Sequence, residues 1–384
     1  MAGVLYQENT IDATAHVLAQ IERRRFLRHT NSDDTGGFLD GAGIWTISPR
    51  RFTWTVEDTF REVLLDVTAP DTPSNRAKSN SLSTGPNFTF PLSSTNSAVI
   101  GGRYGRFDIE NSTSANQRYT TYVRGVHALA AQSTLSLNYE AARVYFEPEA
   151  QFPKIFREDW FARYETHSGL NGAAVDLGTT RVTRYTDTGL TGRLARLTLS
   201  EALSSRSTLR LGLSDQISDT YSDQIAGVVS LTAPMETGVA TTNGAASGDL
   251  YHSERGYLAY ANIGGRFEYT LQGYTRRVDF ETLDQDYHEG GALFTWTWVY
   301  SGATRFNATM DYARRSFESL NREDEDRNFF AGVDYRLNRN VTITMQGGRT
   351  ERQSTAPSSS FVDNRVLLLL GYSTGPLYSV QSRR

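Results

Sequence analysis

The sequence predicts an all-β protein: a single transmembrane antiparallel up-and-down β-barrel of about 18 strands, with 16 as the alternative count. Three observations lead there. Apolar and polar residues alternate with period 2 in segment after segment, the connections between segments alternate between short and long, and no apolar stretch of ~18 residues offers a spanning helix. Length alone, 384 residues, suggests two or three domains at the usual ~150 per domain. The repeated strand pattern overrides that prior.

The alternation is plainest late in the chain. Over 303–313, Phe306, Ala308, Met310 and Tyr312 alternate with Arg305, Asn307, Thr309 and Asp311. Over 327–337, Phe329, Ala331, Val333, Tyr335 and Leu337 oppose Asn328, Phe330, Gly332, Asp334 and Arg336. Residues 291–300 set Ala292, Phe294, Trp296, Trp298 and Tyr300 against Gly291, Leu293, Thr295, Thr297 and Val299. Shorter examples are Phe52, Trp54 and Val56, then Leu209, Leu211 and Leu213, then Val341, Ile343 and Met345. One face of each segment is oily and the other is wet, as a strand between lipid and a watery interior requires.

The connections sort by length. Short ones fall near residues 48–50, 93–96, 130–133, 168–171, 204–206, 264–265, 301–303 and 338–340. Longer ones lie around 28–36, 67–78, 110–116, 147–156, 185–190, 220–250, 281–289, 318–327 and 354–361. This predicts short periplasmic turns, longer extracellular loops and both chain ends on the short-turn side. The chain then divides into an N-terminal periplasmic segment (1–10), the barrel (11–373) with a long loop at 220–250, and a C-terminal periplasmic tail (374–384). The 220–250 stretch reads as an external loop or an inward-folded constriction, and after these as a separate small domain. Aromatics near strand ends, such as Trp45, Tyr104, Trp160, Tyr260, Tyr287 and Tyr312, suit interfacial girdles.

Composition excludes several classes. The apolar fraction is 38 %, below the ~45–50 % of typical globular chains, so a thick dry core is hard to build. With no Cys, disulfides, thiolate metal sites and Cys nucleophiles are excluded. A net charge of −4 and a pI near 5.9 argue against nucleic-acid binding, despite Arg23-Arg24-Arg25 and Arg28. The first residues lack the basic start and apolar run of a signal peptide, so either the numbering begins after processing or the chain stays inside. Of 39 basic residues only Lys78 and Lys154 are Lys.

Several stretches carry a family resemblance: Ile44-Trp45-Thr46-Ile47-Ser48-Pro49-Arg50-Arg51-Phe52-Thr53-Trp54, Glu57-Asp58-Thr59-Phe60, Asp71-Thr72-Pro73, Ser83-Thr84-Gly85-Pro86, Leu135-Ser136-Leu137-Asn138-Tyr139, and Asp363-Asn364-Arg365-Val366 through Gly371-Tyr372. Together they resemble the uncharacterised outer-membrane β-barrels associated with PEP-CTERM and exosortase loci, which accompany exopolysaccharide synthesis genes. The resemblance implies a bacterial outer-membrane protein and a polysaccharide cargo. The chain ends in Ser382-Arg383-Arg384 instead of the terminal aromatic read by assembly machinery, with Tyr372 the nearest substitute.

Strand parity places Arg61, Arg118, Arg124, Arg163, Arg196, Arg210, Arg276, Arg305 and Arg336 on the wet face, with Glu57, Glu140, Glu165, Glu268, Asp311 and Asp334. Rings of fixed charge lining a pore bind and release passing ions of opposite sign. The expected function is a porin-like conduit exporting an extracellular polysaccharide that carries acidic groups. The alternatives are a non-conducting structural or adhesive barrel, in which these charges pair across strands and fill the interior, and an outer-membrane hydrolase. The expected partners are membrane lipid, lipopolysaccharide, the polysaccharide, the barrel-assembly machinery and a periplasmic polysaccharide-handling protein.

No cofactor, metal site or catalytic step is expected. The six His are scattered without ligand spacing; His252 and His288 with Asp284 and Asp286 form the first hydrolase candidate. Carboxylates for sugar cleavage come from Asp284, Asp286 and Glu323 to Asp326, at separations a sequence does not give. The run Asn321 to Arg327 lacks the ligand spacing of an EF-hand and reads as a solvated loop tip. Gly101-Gly102-Arg103-Tyr104-Gly105 is not followed by the Lys-Ser/Thr of a phosphate loop.

Overall fold

A computed structural model describes residues 2–24, 33–66, 68, 75–110, 115–147, 154–169, 171–184, 187–226, 249–356 and 359–372. In chain order the strands are β1 (Ala2–Asn9), β2 (Ala13–Arg24), β3 (Asp34–Ser48), β4 (Phe52–Leu64), β5 (Arg76–Pro91), β6 (Asn96–Ile109), β7 (Ala115–Ala130), β8 (Ser133–Glu147), β9 (Ile155–Ser168), β10 (Asn171–Arg184), β11 (Asp187–Ala202) and β12 (Ser207–Ser218). One short helix follows, α1 (Thr220–Ala226), and then β13 (Tyr251–Asn262), β14 (Phe267–Phe280), β15 (Tyr287–Val299), β16 (Thr304–Phe317), β17 (Arg322–Arg336), β18 (Val341–Ser354) and β19 (Phe361–Tyr372).

Each strand pairs antiparallel with its sequence neighbours, giving one 19-stranded sheet. The sheet curls until its first and last strands, β1 and β19, lie side by side. Residues 1–10, expected as a periplasmic segment ahead of the barrel, instead supply the first strand of the sheet, Ala2–Asn9, which pairs with β2 from Ala2↔Ile21 to Asn9↔Thr14. Nineteen strands correct the expectation that both chain ends share the short-turn side: β1 starts at the long-loop end, whereas β19 ends at the short-turn end. The tail 374–384 lies outside the described residues.

The connections keep their sorting. One end has nine links of two to four residues, from 10–12 to 337–340, and the other has links of two to thirty-two. At that end 185–190 shrinks to a two-residue link because β11 begins at Asp187, and 318–327 shrinks to four because β17 begins at Arg322. The short turns close on their own polar groups. Ser93 Oγ accepts the Thr95 and Asn96 amides at 3.2 and 3.0 Å, Ser204 Oγ accepts Arg206 and Ser207, and Ser301 Oγ accepts Ala303 and Thr304.

Parity divides every strand. The large exposed apolar side chains within strands lie on the outer, convex face, among them Val4, Ile21, Trp45, Ile100, Val123, Leu137, Trp160, Leu177, Leu213, Leu258, Leu271, Met310, Phe329, Met345 and Leu368. Leu177, central on β10, is 61 % exposed. An apolar belt this continuous suits a surface that faces lipid. The inner face is mostly Thr, Ser, Asn, Arg, Asp and Glu along mid-strand, with apolar clusters toward the long-loop end: Val63, Phe107 and Ile109; Val144, Phe146, Ile155 and Val182; and Tyr251, Val278, Phe280 and Phe317. Four inner-face aromatics lean onto a neighbouring strand where the directly paired residue is glycine: Tyr122 on Gly101, Tyr257 on Gly212, Tyr274 on Gly291 and Phe330 on Gly348. A Cβ at any of these glycines would overlap the ring.

Candidate functional site: a helix held across the inner face

The buried residues gather at the long-loop half of the inner face, because the connection after β12 turns inward there. Its described part, Asp219 to Ala226 with Asp249 and Leu250, folds inward, as the second of the three alternatives for 220–250 has it; residues 227–248 lie outside the described residues. Asp219 starts the helix, with its carboxylate accepting the Ser222 amide at 3.0 Å, as an N-cap does.

Helix α1 touches walls far apart in the sheet. Toward β5–β7, Ser81 donates to Gln224 Oε1 at 2.7 Å and Gln224 Nε2 donates to Ser79 at 3.0 Å. Tyr221 packs with Val63, Ala77, Phe107 and Ile109. Arg118 lies 4.5 Å from the Tyr221 ring centroid and bonds both Asp219 (2.9 Å) and Ser222 (2.9 Å). Toward β13–β14, Asp223 accepts Tyr251 Oη at 2.6 Å, Ser218 Oγ at 2.6 Å, Arg255, and Arg276 at 3.4 Å. Thr68, on the connection between β4 and β5, also reaches inward, since its carbonyl accepts from Arg322 of β17.

Burial opposes ionisation of both helix carboxylates and the guanidiniums outweigh it. Arg118 and Arg157 hold Asp219 below the usual carboxylate range, and Arg255 and Arg276 do the same for Asp223. Gln224 is fully buried. A narrow cleft of about 370 Å³, open mouth included, remains beside the helix between Phe107, Asn116, Val144, Phe146, Arg157 and Tyr221.

From α1 a ladder of alternating charge continues along the inner wall: Arg276 on β14 stands opposite Glu289 on β15, which pairs with Arg315 on β16 at 2.5 Å. Arg315 stands opposite Asp324 on β17, and Arg352 on β18 pairs with Asp326 at 2.6 Å. Arg315, Glu289 and Asp324 are fully buried. Sequence reasoning missed these residues and set 321–327 aside as a solvated tip. Arg322, Asp324 and Asp326 instead face inward on β17, and Glu323, Glu325 and Arg327 face outward. The signal was present as the period-2 run Arg-Glu-Asp-Glu-Asp-Arg, but charge on both faces hid it.

All eleven predicted site residues occupy inner-face positions, but most already have partners. Arg61 pairs with Asp40 (3.3 Å), Arg118 with Asp219, and Arg276 with Asp223. Arg163 and Arg196 share Asp176, each at 3.6 Å. Asp311 accepts from Asn328 (2.9 Å), and Asp334 from Asn307 and Thr344. Arg305 stands opposite Asp334, and Arg336 opposite Thr342. Arg124 and Arg210, nearer the short turns, make no ion pair among the described residues. The hydrolase candidates do not converge. His252 meets Asp215 at 2.6 Å and His288 meets Thr275 at 3.1 Å, both on the outer face, while Asp286 accepts the Phe280 amide. Glu254 joins Asp215 and His252 closely enough to share a cation, but Arg193 already holds Asp215 at 3.3 Å.

Comparison with known proteins agrees with this architecture. Residues 304–372, which hold β16–β19, match the family model described as "Putative beta-barrel porin 2". No curated protein matches. The ferric enterobactin receptor of Pseudomonas aeruginosa in complex with enterobactin superposes with a TM-score of 0.53 at 11 % identity, over 96 % of this chain and 69 % of that one. Another structure of that receptor gives 0.52 at 10 %, over 96 % and 68 %. The siderophore receptor PirA from the same organism gives 0.49 at 12 %, over 96 % and 68 %. At these identities the likeness is one of fold. The fold is therefore that of outer-membrane β-barrels, and the location is the bacterial outer membrane.

Proposed function

We propose that the curled sheet closes along β1 and β19 into a barrel that passes anionic solutes, with an extracellular polysaccharide bearing acidic groups as the cargo and α1 as the constriction. Closure is what the bilayer demands, since an unpaired strand edge in hydrocarbon leaves its amides and carbonyls unbonded. Because the strand number is odd, β1 and β19 run in the same direction and the seam is parallel, a rarer arrangement that a 19-stranded barrel imposes. The observation that carries the reading is α1 fixed between opposite walls by buried ion pairs, above a polar inner wall where Arg124 and Arg210 keep uncommitted guanidiniums. An anionic sugar polymer meets such groups with charge-assisted hydrogen bonds. Assembly machinery, lipopolysaccharide and a periplasmic polysaccharide-handling protein are the partners this function calls for.

The test is conductance of the full chain in planar bilayers. We expect small anion-preferring channels, blocked by soluble polyuronate more strongly than by neutral glucan, with the preference reduced in Arg124→Ser/Arg210→Ser. Equal block by both polymers, or selectivity indifferent to those substitutions, would refute the anionic cargo. If deleting the gene leaves surface polysaccharide unchanged, export is refuted as well. A second reading, a non-conducting structural barrel, is favoured by the extent of charge pairing around α1; absence of conductance even after removal of 220–248 would select it.

A further inference from the structure

On the outer face of β16–β18 the apolar belt ends at the long-loop side on Tyr312, Phe329 and Met345, and the next charged outward position on each strand is an arginine: Arg314, Arg327 and Arg349. These three form a staircase. Arg327 is paired with Tyr312, two residues before Arg314, and Arg349 is paired with Phe329, two residues after Arg327. A two-residue step per strand makes neighbouring guanidiniums diagonal neighbours, roughly 7–8 Å apart at the backbone. In a barrel with strands tilted about 35–45° such a diagonal runs level with the membrane plane. At the other end of the same strands the outward belt finishes on Trp298 of β15, Phe306 and Tyr335, with no charge at the outward strand positions. The arginines thus mark one leaflet only.

Each arginine rests on an outward acid: Arg314 on Glu323 (2.6 Å), Arg327 on Glu325 (2.7 Å) and Arg349 on Glu351 (2.8 Å). The guanidiniums are 53–55 % exposed. Exposed pairs of this kind contribute little, so a phosphate can displace the carboxylate at small cost. Guanidinium suits that exchange, presenting a planar fork that bonds phosphate oxygens bidentately.

We propose that Arg314, Arg327 and Arg349 form a binding site for the phosphate groups of a phosphorylated glycolipid in the leaflet on the long-loop side. The proposal rests on the outer-membrane barrel reading with the long loops facing outward. It needs no conduction and no particular cargo.

The experiment folds the full chain into phosphatidylcholine nanodiscs containing either bisphosphorylated lipid A or its dephosphorylated form, and measures by native mass spectrometry the lipid A retained after detergent extraction. Arg314→Gln/Arg327→Gln/Arg349→Gln is compared with Glu323→Gln/Glu325→Gln/Glu351→Gln. We expect wild type to retain the phosphorylated form preferentially, the arginine variant to lose at least about tenfold in retention, and the glutamate variant to retain as much or more. Equal retention of both lipids by wild type overturns the proposal. So does an arginine variant that retains lipid as wild type does, or an equal loss of thermal stability in both variants with retention unchanged, which marks plain ion pairs. Failure of the membrane reading is seen separately, as a chain that never inserts or inserts with its long loops on both sides.

Discussion

Replacing Asp223 by Asn should free α1 from the β13–β14 wall. The carboxylate sits among Arg255, Arg276, Tyr251 and Ser218, and the helix is otherwise held on the β5–β7 side through Gln224 and Asp219. Removing one partner of a buried ion pair costs about 3–5 kcal/mol; here Arg276 stays buried with one counter-charge fewer, while Arg255, about a third exposed, is partly rehydrated. Asn keeps one acceptor, so the lower end of that range applies. About 3 kcal/mol corresponds to a factor of roughly 10² in the docking equilibrium. The chain has no Cys, so a single Ile225→Cys probe reports exposure of the helix cleanly. Its maleimide labelling in vesicles should accelerate by about that factor in the Asp223→Asn background, and single-channel conductance should rise with it. The reasoning is refuted if labelling and conductance match those of wild type, or if Asp311→Asn, which lies on the wall away from α1, accelerates labelling equally.

Asp223 and Asp219 ionise more readily than free carboxylates, so their contribution to docking is complete above the ordinary value of 3.8 and is lost as pH falls through their lowered values. Labelling of the same probe, divided at each pH by the rate of a free thiol because the thiolate is the reacting form, should accordingly stay flat from neutral pH down to about 5 and rise only below about 4; a step near pH 6 would count against these two groups as the latch. Leu177→Arg places a charge in the middle of the lipid-facing belt and should cost about 2–4 kcal/mol of folding stability in vesicles, read by heat-modifiable gel mobility, with no such loss if this face meets water. Gly212→Val should cost about 1–3 kcal/mol, since its side chain and the Tyr257 ring claim one space, and Tyr257→Ala in the same chain should recover part of it.

Much of the wall was legible in the sequence. Alternation such as Phe306/Ala308/Met310/Tyr312 against Arg305/Asn307/Thr309/Asp311 assigns faces correctly because lipid and water impose opposite demands every second residue. The first strand was not legible: Ala2–Asn9 mixes Gln7, Glu8 and Asn9 with Val4 and Leu5, and only its pairing with β2 settles its state. The partners of the inner charges were hidden for a different reason. Parity tells that Arg118 and Arg276 face inward, but their carboxylates, Asp219 and Asp223, come from a connection whose path is tertiary. The ladder Glu289–Arg315–Asp324 was concealed because above the belt both faces of β15–β17 are polar and the contrast that reveals a face disappears.

The aromatic rings seated on glycines bear on how such a sheet finds its alignment. Hydrogen bonds between strands look alike at every offset, and a slip by one residue would still satisfy most of them. At β6/β7, β12/β13, β14/β15 and β17/β18, however, a slip would drive a bulky ring into a side chain instead of a bare Cα. These four pairs act as keys cut for a single lock position, spaced around the wall, and their loss should show first as misaligned assembly and only later as diminished stability.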